Sequence, residues 1–291
     1  ADVEGYSPIK VPEPVAHWHG EMGGEVTQTS AILQARLTVD GKVRSRDVMG
    51  CPGVATFVLS GHEDFSGAVR TRWMAATAEN DYIVKTAITG LGPGTRYYYR
   101  LLSGPDVEQA EAGPTGTFRT LDVPEIEASG REVRFVTVTG MNQFAFQALA
   151  LKNLAFKDRA LGFPALETIL AHEPDFFVST GDSVYYDTPF VGRAETREAM
   201  RAKWHRQFAT PRFEALFLQV PTYWEKDDHD FRYDDADAYG DHTPSAELGA
   251  VTFLKQVPVV DPQDPAARTY RTHRIHDLLQ IWLLEGRDYR D

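Results

Sequence analysis

The sequence predicts an all-β sandwich followed by an α/β layered domain. Short strand-like segments, separated by turn residues, fill the first 120 or so positions. An acidic, turn-rich stretch with little apolar periodicity follows. Beyond it, apolar β-branched runs alternate with helical segments. Repeated short strands with regular breaks indicate a sandwich, and strand–helix–strand alternation indicates a layered α/β unit.

Residues 1–19 read as an N-terminal extension, with Trp18 between His17 and His19 as a packed aromatic. The sandwich is expected over 20–120, with strands in 26–39, 53–61, 68–76, 81–90 and 95–104. Its sharpest part is ITGLGPGTRYYYRL, where Leu91 plugs a core, Pro93-Gly94 turns the chain, and a tyrosine just inside the next strand braces the corner. This stretch resembles the tyrosine corner of a fibronectin type III or immunoglobulin-like module. Residues 121–132 form the expected linker. From 133 onward, VRFVTVTG (133–140) and DFFVSTG (175–181) suit buried strands. Helices are expected over 144–158, over 164–173 with Pro164 near its start, over 193–209 and over 211–220. PTYWEKDDHD (221–230) begins as a strand, and 278–290 supplies a further apolar one.

Composition narrows the function. The chain has 291 residues and a formal net charge of −12, which argues against nucleic-acid binding through a broad basic surface. Its one cysteine, Cys51, excludes an intrachain disulfide and disfavours cysteine-based zinc sites. No window reaches a membrane-spanning length of apolar residues, and no signal peptide is visible. A start at Ala1 is read as a processed or trimmed end.

Ligands of open α/β sheets gather beyond the C-terminal ends of strands. Three such ends here are polar: TGMNQ (139–143), GDSVYYD (181–187) and KDDHD (226–230). Together they suit a divalent or trivalent cation site, since hard cations take oxygen ligands and imidazole suits iron or zinc. Asp182 can place an anionic oxygen between two cations, Tyr185 makes sense as a phenolate on Fe(III), and Asp228 can hold a second metal. His229 then touches a phosphate or protonates a leaving group.

GDSVYYD and YWEKDDHD, in this order, resemble the Gly-Asp-x-x-Tyr and Asp-Asp-His-Glu/Asp motifs of PhoD-like metallophosphoesterases. The β-sandwich ahead of them and the closing LQIWLLEGRDYR fit the same family over most of 20–291. The resemblance implies an α/β/β/α metallophosphatase domain over 133–291, export to the periplasm or beyond the cell, and hydrolysis of small-molecule phosphate mono- or diesters by metal-bound hydroxide. It implies iron with calcium, or a similar pair, held by Asp182, Tyr185 and Asp228, with His229 as the catalytic histidine. The family's first strand ends in an Asp or Cys ligand. Gly140 stands there in this chain, and Asn142 is the nearest candidate. The family domain also continues past RDYR, so the expected domain is incomplete at Asp291. The alternative reading is a degenerate or truncated relative that uses the sandwich for attachment.

Other readings are weaker. From Asp235, DADAYG begins like a calcium loop, but Tyr239 stands at its fifth position and Ala246 at its twelfth. Residues 234–241 then read as a solvated acidic face, and His205, in a charged helix, as a surface residue. RTYRTHR (268–274) is a basic patch suited to substrate phosphate or to a solvated strand edge. No Ser/His/Asp signature, Cys/His signature or P-loop is recognisable.

Overall fold

The computed structural model describes residues 16–123, 131–152, 158–260 and 268–290. The expected linker centre, residues 1–15 of the N-terminal extension and the expected helix beyond Lys152 lie outside them, until residue 158.

The first half contains β1 (Ala16–Gly24), β2 (Ser30–Arg44), β3 (Asp47–Gly50), β4 (Gly53–Ser60), β5 (Val69–Arg70), β6 (Met74–Ala76), β7 (Ile83–Thr89), β8 (Arg96–Gly104), β9 (Glu111–Ala112) and β10 (Gly116–Arg119). One sheet runs β10-β8-β4-β5, with β6 also on β4 and β9 on β8. Across from it, β7, β2 and β3 turn Leu33, Ala35 and Leu37 against Phe57, Leu59, Tyr99, Leu101 and Phe118. Alternation of inward apolar residues builds this core. At the predicted corner Leu91 is buried, Gly94 takes φ +57°, and the Gly92 N–H donates to Tyr97 Oη at 2.8 Å.

The second half adds β11 (Phe135–Val138), α1 (Gln143–Lys152), a 3-10 turn (Arg159–Leu161), α2 (Pro164–Ala171), β12 (Phe176–Thr180), α3 (Arg197–Phe208), α4 (Pro211–Gln219), β13 (Thr222–Glu225), α5 (Ala246–Gln256), β14 (Arg271–His276) and β15 (Leu279–Leu283). Strands β11, β12 and β13 pair in parallel. On one face Phe177 and Trp224 pack with Trp204, Phe208, Phe213 and Phe217; on the other Phe176, Val178 and Tyr223 meet Ile275 and Leu283 of the β14–β15 hairpin. Burial on both faces is why β12 and the start of β13 read as apolar runs; β11, expected as a buried strand, is instead the sheet edge, with Phe135 and Thr137 exposed.

The two halves share a sheet. Its order is β11-β12-β13-β1-β2-β3, with β1 antiparallel to β2 and parallel to β13 at Gly24↔Thr222. A Cβ on Gly24 would lie 2.6 Å from Pro258 Cγ and 3.0 Å from the Thr222 carbonyl oxygen, so only glycine permits this approach. Residues 16–19, expected in an extension, are the first part of β1. AHWHGEMGG lacks an alternating apolar pattern, which hid the strand.

His205 also departs from expectation. It is only 2% exposed. Its Nδ1 lies 2.7 Å from Asp47 and its Nε2 2.8 Å from Asp81, so the polar face of α3 packs on β3 and the turn before β7. Asp81 also takes bonds from Gln256 Nε2 at 2.6 Å and Arg36 at 3.4 Å. Burial works to raise the Asp81 pKa, but the His205 bond and charge, with Arg36 and Arg201, outweigh it and hold the pKa at about 2.

That value lies below the ordinary 3.8, so the ionised carboxylate stabilises the fold above pH 3.8, and this contribution drains away as the pH falls towards 2. Asp81→Asn is expected to cost about 2 kcal/mol near neutral pH and to flatten stability between about pH 4 and 2. Urea unfolding across that range measures both; an unchanged acid limb would contradict the assignment.

Candidate metal centre

Each of the three parallel strands ends in a loop on the same side. After β11 the chain turns at Gly140 (φ +71°), and after β12 at Gly181 (φ +94°) and Asp182 (φ +53°). Hydrogen bonds stitch the loops together. Met141 N–H donates to the Asp182 carbonyl at 2.9 Å, and Tyr186 N–H to the His229 carbonyl at 3.0 Å. A Cβ on Gly181 would stand 2.3 Å from Asp227 Cβ, so glycine lets the second and third loops touch.

Asp230 fastens those two loops. Its fully buried carboxylate accepts from Ser183 N–H at 2.9 Å and Asp227 N–H at 2.7 Å. Burial still pushes its pKa up to about 7, against the pull of these two donors.

Asp182, Asp228 and His229 come together: each offers a ligand atom, and the three atoms lie within 4.8 Å of one another. Tyr185 Oη donates to Asp182 Oδ2 at 3.0 Å, and the Tyr185 ring stacks on His229 at 4.2 Å between centroids. Asp182 Oδ1 is buried with no hydrogen-bond partner. Asn142 stands at the start of α1, where its Oδ1 accepts from Ala145 N–H at 2.9 Å; its side-chain oxygen is committed to capping the helix. Gly140 contributes no side chain, and a Cβ built there meets only Tyr185 Oη, at 3.9 Å.

Charge in the site is unbalanced. Burial raises the Asp182 pKa, the Tyr185 bond and His229 oppose this, and Asp228 and Asp227 add to it. Burial and Asp182 also raise Tyr185 far above a free phenol. Burial works to lower the His229 pKa, but Asp187, Asp182 and Asp228 together push it up to about 9. A site that resists ionisation of Asp182 and Tyr185 and holds a proton on its histidine lacks positive charge. A cation on these oxygens supplies it, and the unpartnered Asp182 Oδ1 fits that role.

Several participants escape sequence reasoning. Asp187, at the end of GDSVYYD, lies 2.9 Å from His229 Nδ1 through both carboxylate oxygens. Arg287 of RDYR bonds Asp227 through Nε at 2.5 Å and reaches to 3.6 Å of Asp228. Lys226, with a fully buried side chain, pairs with Glu285 at 2.6 Å and Asp288 at 3.0 Å. Arg232, also buried, donates to the carbonyls of Pro244, Asp237, Tyr239 and His242 and so shapes the loop whose Asp234 and Asp235 face solvent. Motif spacing identified which loops matter, and three of these residues sit inside the quoted motifs, but their partners are set by tertiary packing. Of the basic patch, Arg271 and His273 turn inward and bond Glu25, while Arg268 and Arg274 are exposed.

A family model described as the N-terminal domain of PhoD-like phosphatases matches residues 10–122, and one described as PhoD-like phosphatase matches residues 152–291. Among solved structures, a PhoD aligns with a TM-score of 0.66 at 19% identity over 95% of this chain and 53% of its own. A purple acid phosphatase from yellow lupin (Lupinus luteus) seeds aligns with a TM-score of 0.52 at 13% identity over 91% of this chain and 44% of its own. The chain thus spans about half the length of these structures. At such identities the likeness concerns the fold, a β-rich part followed by an α/β phosphatase part. A search of curated proteins returns no match.

Gly181→Ala is expected to destabilise the protein by about 2 kcal/mol or more, because it adds both an unfavourable φ and an overlap with Asp227. Thermal unfolding reads this directly, and an unshifted midpoint would show that the two loops can separate at no cost.

Proposed function

Because the chain belongs to the PhoD-like phosphatase family, we propose that it hydrolyses phosphate mono- or diesters at a cation centre held by Asp182, Asp228 and Tyr185. The convergence of Asp182, Asp228 and His229 within 4.8 Å, around a buried oxygen with no partner, carries this reading. In the same reading residues 20–120 are the sandwich module, residues 133–291 the catalytic portion, and the protein works outside the cytoplasm on a small phosphate ester. Among the described residues no helix is long and apolar enough to cross a membrane.

When bound, a pair such as iron with calcium supplies the positive charge that neutralises phosphate oxygens and activates water. The chain's own residues do the rest. Asp182 and Asp228 offer oxygens from two different loops, and Asp230 keeps those loops in register. Tyr185, which now donates to Asp182 Oδ2 at 3.0 Å, would be a further oxygen ligand for the cation once its phenol proton was lost to solvent. His229 is oriented by Asp187 at Nδ1, which leaves Nε2 to deliver a proton to the departing alkoxide. Stacking on Tyr185 fixes the plane of the ring. Arg287 partly neutralises Asp227 and Asp228 and so eases the repulsion between two adjacent acids.

One observation favours the competing reading of an inactive scaffold: Gly140 leaves the first loop without a side-chain ligand. Metal content separates the two. A catalyst retains near-stoichiometric metal after purification, and a tyrosinate-to-Fe(III) absorption band marks Tyr185 as a ligand; a protein that binds no metal is a scaffold.

Asp182→Asn and Asp228→Ala are expected to lower metal-dependent hydrolysis of an aryl phosphate by about a thousandfold or more, with the sandwich still folded by circular dichroism. Unchanged turnover would refute the assignment. Asp187→Ala is expected to lower kcat by about 10- to 100-fold with metal content unchanged. Loss of metal in that variant would instead make Asp187 part of the metal-binding set.

A further inference from the structure

Beside Tyr185 lies a second cavity, of about 80 Å³, between α1 and α3. Asn142, Gln143, Tyr185, Lys203 and Arg206 line it, and no carboxylate does. Lys203 Nζ donates to the Thr188 carbonyl and Arg206 Nε to the Ala202 carbonyl at 3.1 Å. Neither cation makes an ion pair among the described residues. In a chain of net charge −12, a cleft lined by two neighbouring cations and by no carboxylate stands out; Asp187 and Asp47 act on Lys203 and Arg206 without forming an ion pair with them. Burial lowers the Lys203 pKa to about 8; the neighbouring Arg206 charge adds to this and Asp187 opposes it. The first turn of α1, with the positive end of its dipole, borders the same space. The cavity has room for a phosphate or carboxylate group.

We propose that this cavity is an anion subsite that receives a second negatively charged group of the substrate while the scissile phosphate lies at the Asp182–Asp228 centre. The inference rests on the hydrolase reading for its substrate, but not for its chemistry: two cations and a helix N-terminus around a cleft free of carboxylates bind an anion whether or not hydrolysis follows. Tyr185 is the shared wall. An ester that carries an acidic group a few carbons from its phosphate spans both sites, whereas a simple alkyl phosphate fills only the first. The preferred substrates are therefore phosphate esters with two anionic centres.

The test uses ω-carboxyalkyl phosphonates with two to five methylenes, against alkyl phosphonates of matched length, titrated calorimetrically into the metal-loaded protein. At least one carboxylated probe is expected to bind about tenfold tighter than its partner, with the gap shrinking in higher salt. Arg206→Gln and Lys203→Gln are expected to erase that gap while changing alkyl phosphonate binding less than about twofold, and Arg206→Lys to restore part of it. No preference in the parent protein, or equal losses for both probe types, would overturn the subsite. The corresponding phosphate esters separate this proposal from the hydrolase reading. Hydrolysis with equal kcat/KM for both types leaves the hydrolase standing and sinks the subsite. An Arg206-dependent binding preference without hydrolysis does the reverse.

Discussion

The Asp230 carboxylate is the fastening on which the site depends. It takes one backbone N–H from the loop after β12 and another from the loop after β13, in a place that water does not reach. Neither loop could hold its acidic residues near the other without such an acceptor, since Asp182, Asp227 and Asp228 repel. Gly181 removes the steric obstacle, and Asp230 supplies the bonds that make approach worthwhile. Once the loops are held, the Asp182 oxygen, the Asp228 oxygen and a His229 ring nitrogen lie within 4.8 Å of one another. The excess negative charge that results is a property of the assembled loops, not of any one residue.

Outer contacts relieve part of that repulsion. Arg287 reaches in from the segment after β15, and Lys226 pairs with Glu285 and Asp288 of the same segment. The closing residues of the described chain therefore do more than complete a hairpin: they set the potential felt by the acidic loop. A fully buried lysine is tolerated because two carboxylates meet it, which is the condition for burying a charge at acceptable cost.

Much of this was readable in the sequence, for identifiable reasons. DFFVSTG announces itself because both faces of that strand are covered, whereas VRFVTVTG, read as a buried strand, forms an edge strand with Phe135 and Thr137 exposed. The rule that ligands gather at strand ends pointed to Asp182, Tyr185, Asp228 and His229. The tyrosine corner was legible because its geometry is local, with Gly92 and Tyr97 only five residues apart. What stayed hidden depends on distant partners. Strand β1 has a glycine- and histidine-rich sequence whose pairing is fixed by β2 and β13. Helix α5 carries Gly249 in its interior because a Cβ there would lie 2.1 Å from the Phe231 carbonyl oxygen. His205 looked like a surface residue because nothing near it in the sequence reveals Asp47 and Asp81 waiting across the junction. Asp187 and Asp230 lay inside the motifs, yet only the folded chain shows that one steers a ring and the other binds two loops.

Strand β1, shared between the sandwich and the parallel strands, has a consequence for how such molecules can be rearranged. A unit cut at the boundary between the halves would strip β1 from the start of β13, where Gly24 pairs with Thr222, and uncover that end of the strand beside a large aromatic core. The first half is thus a structural flank of the second and cannot be treated as a detachable accessory. Grafting it onto another protein, or expressing the second half without it, removes a neighbour that the sheet was built to have.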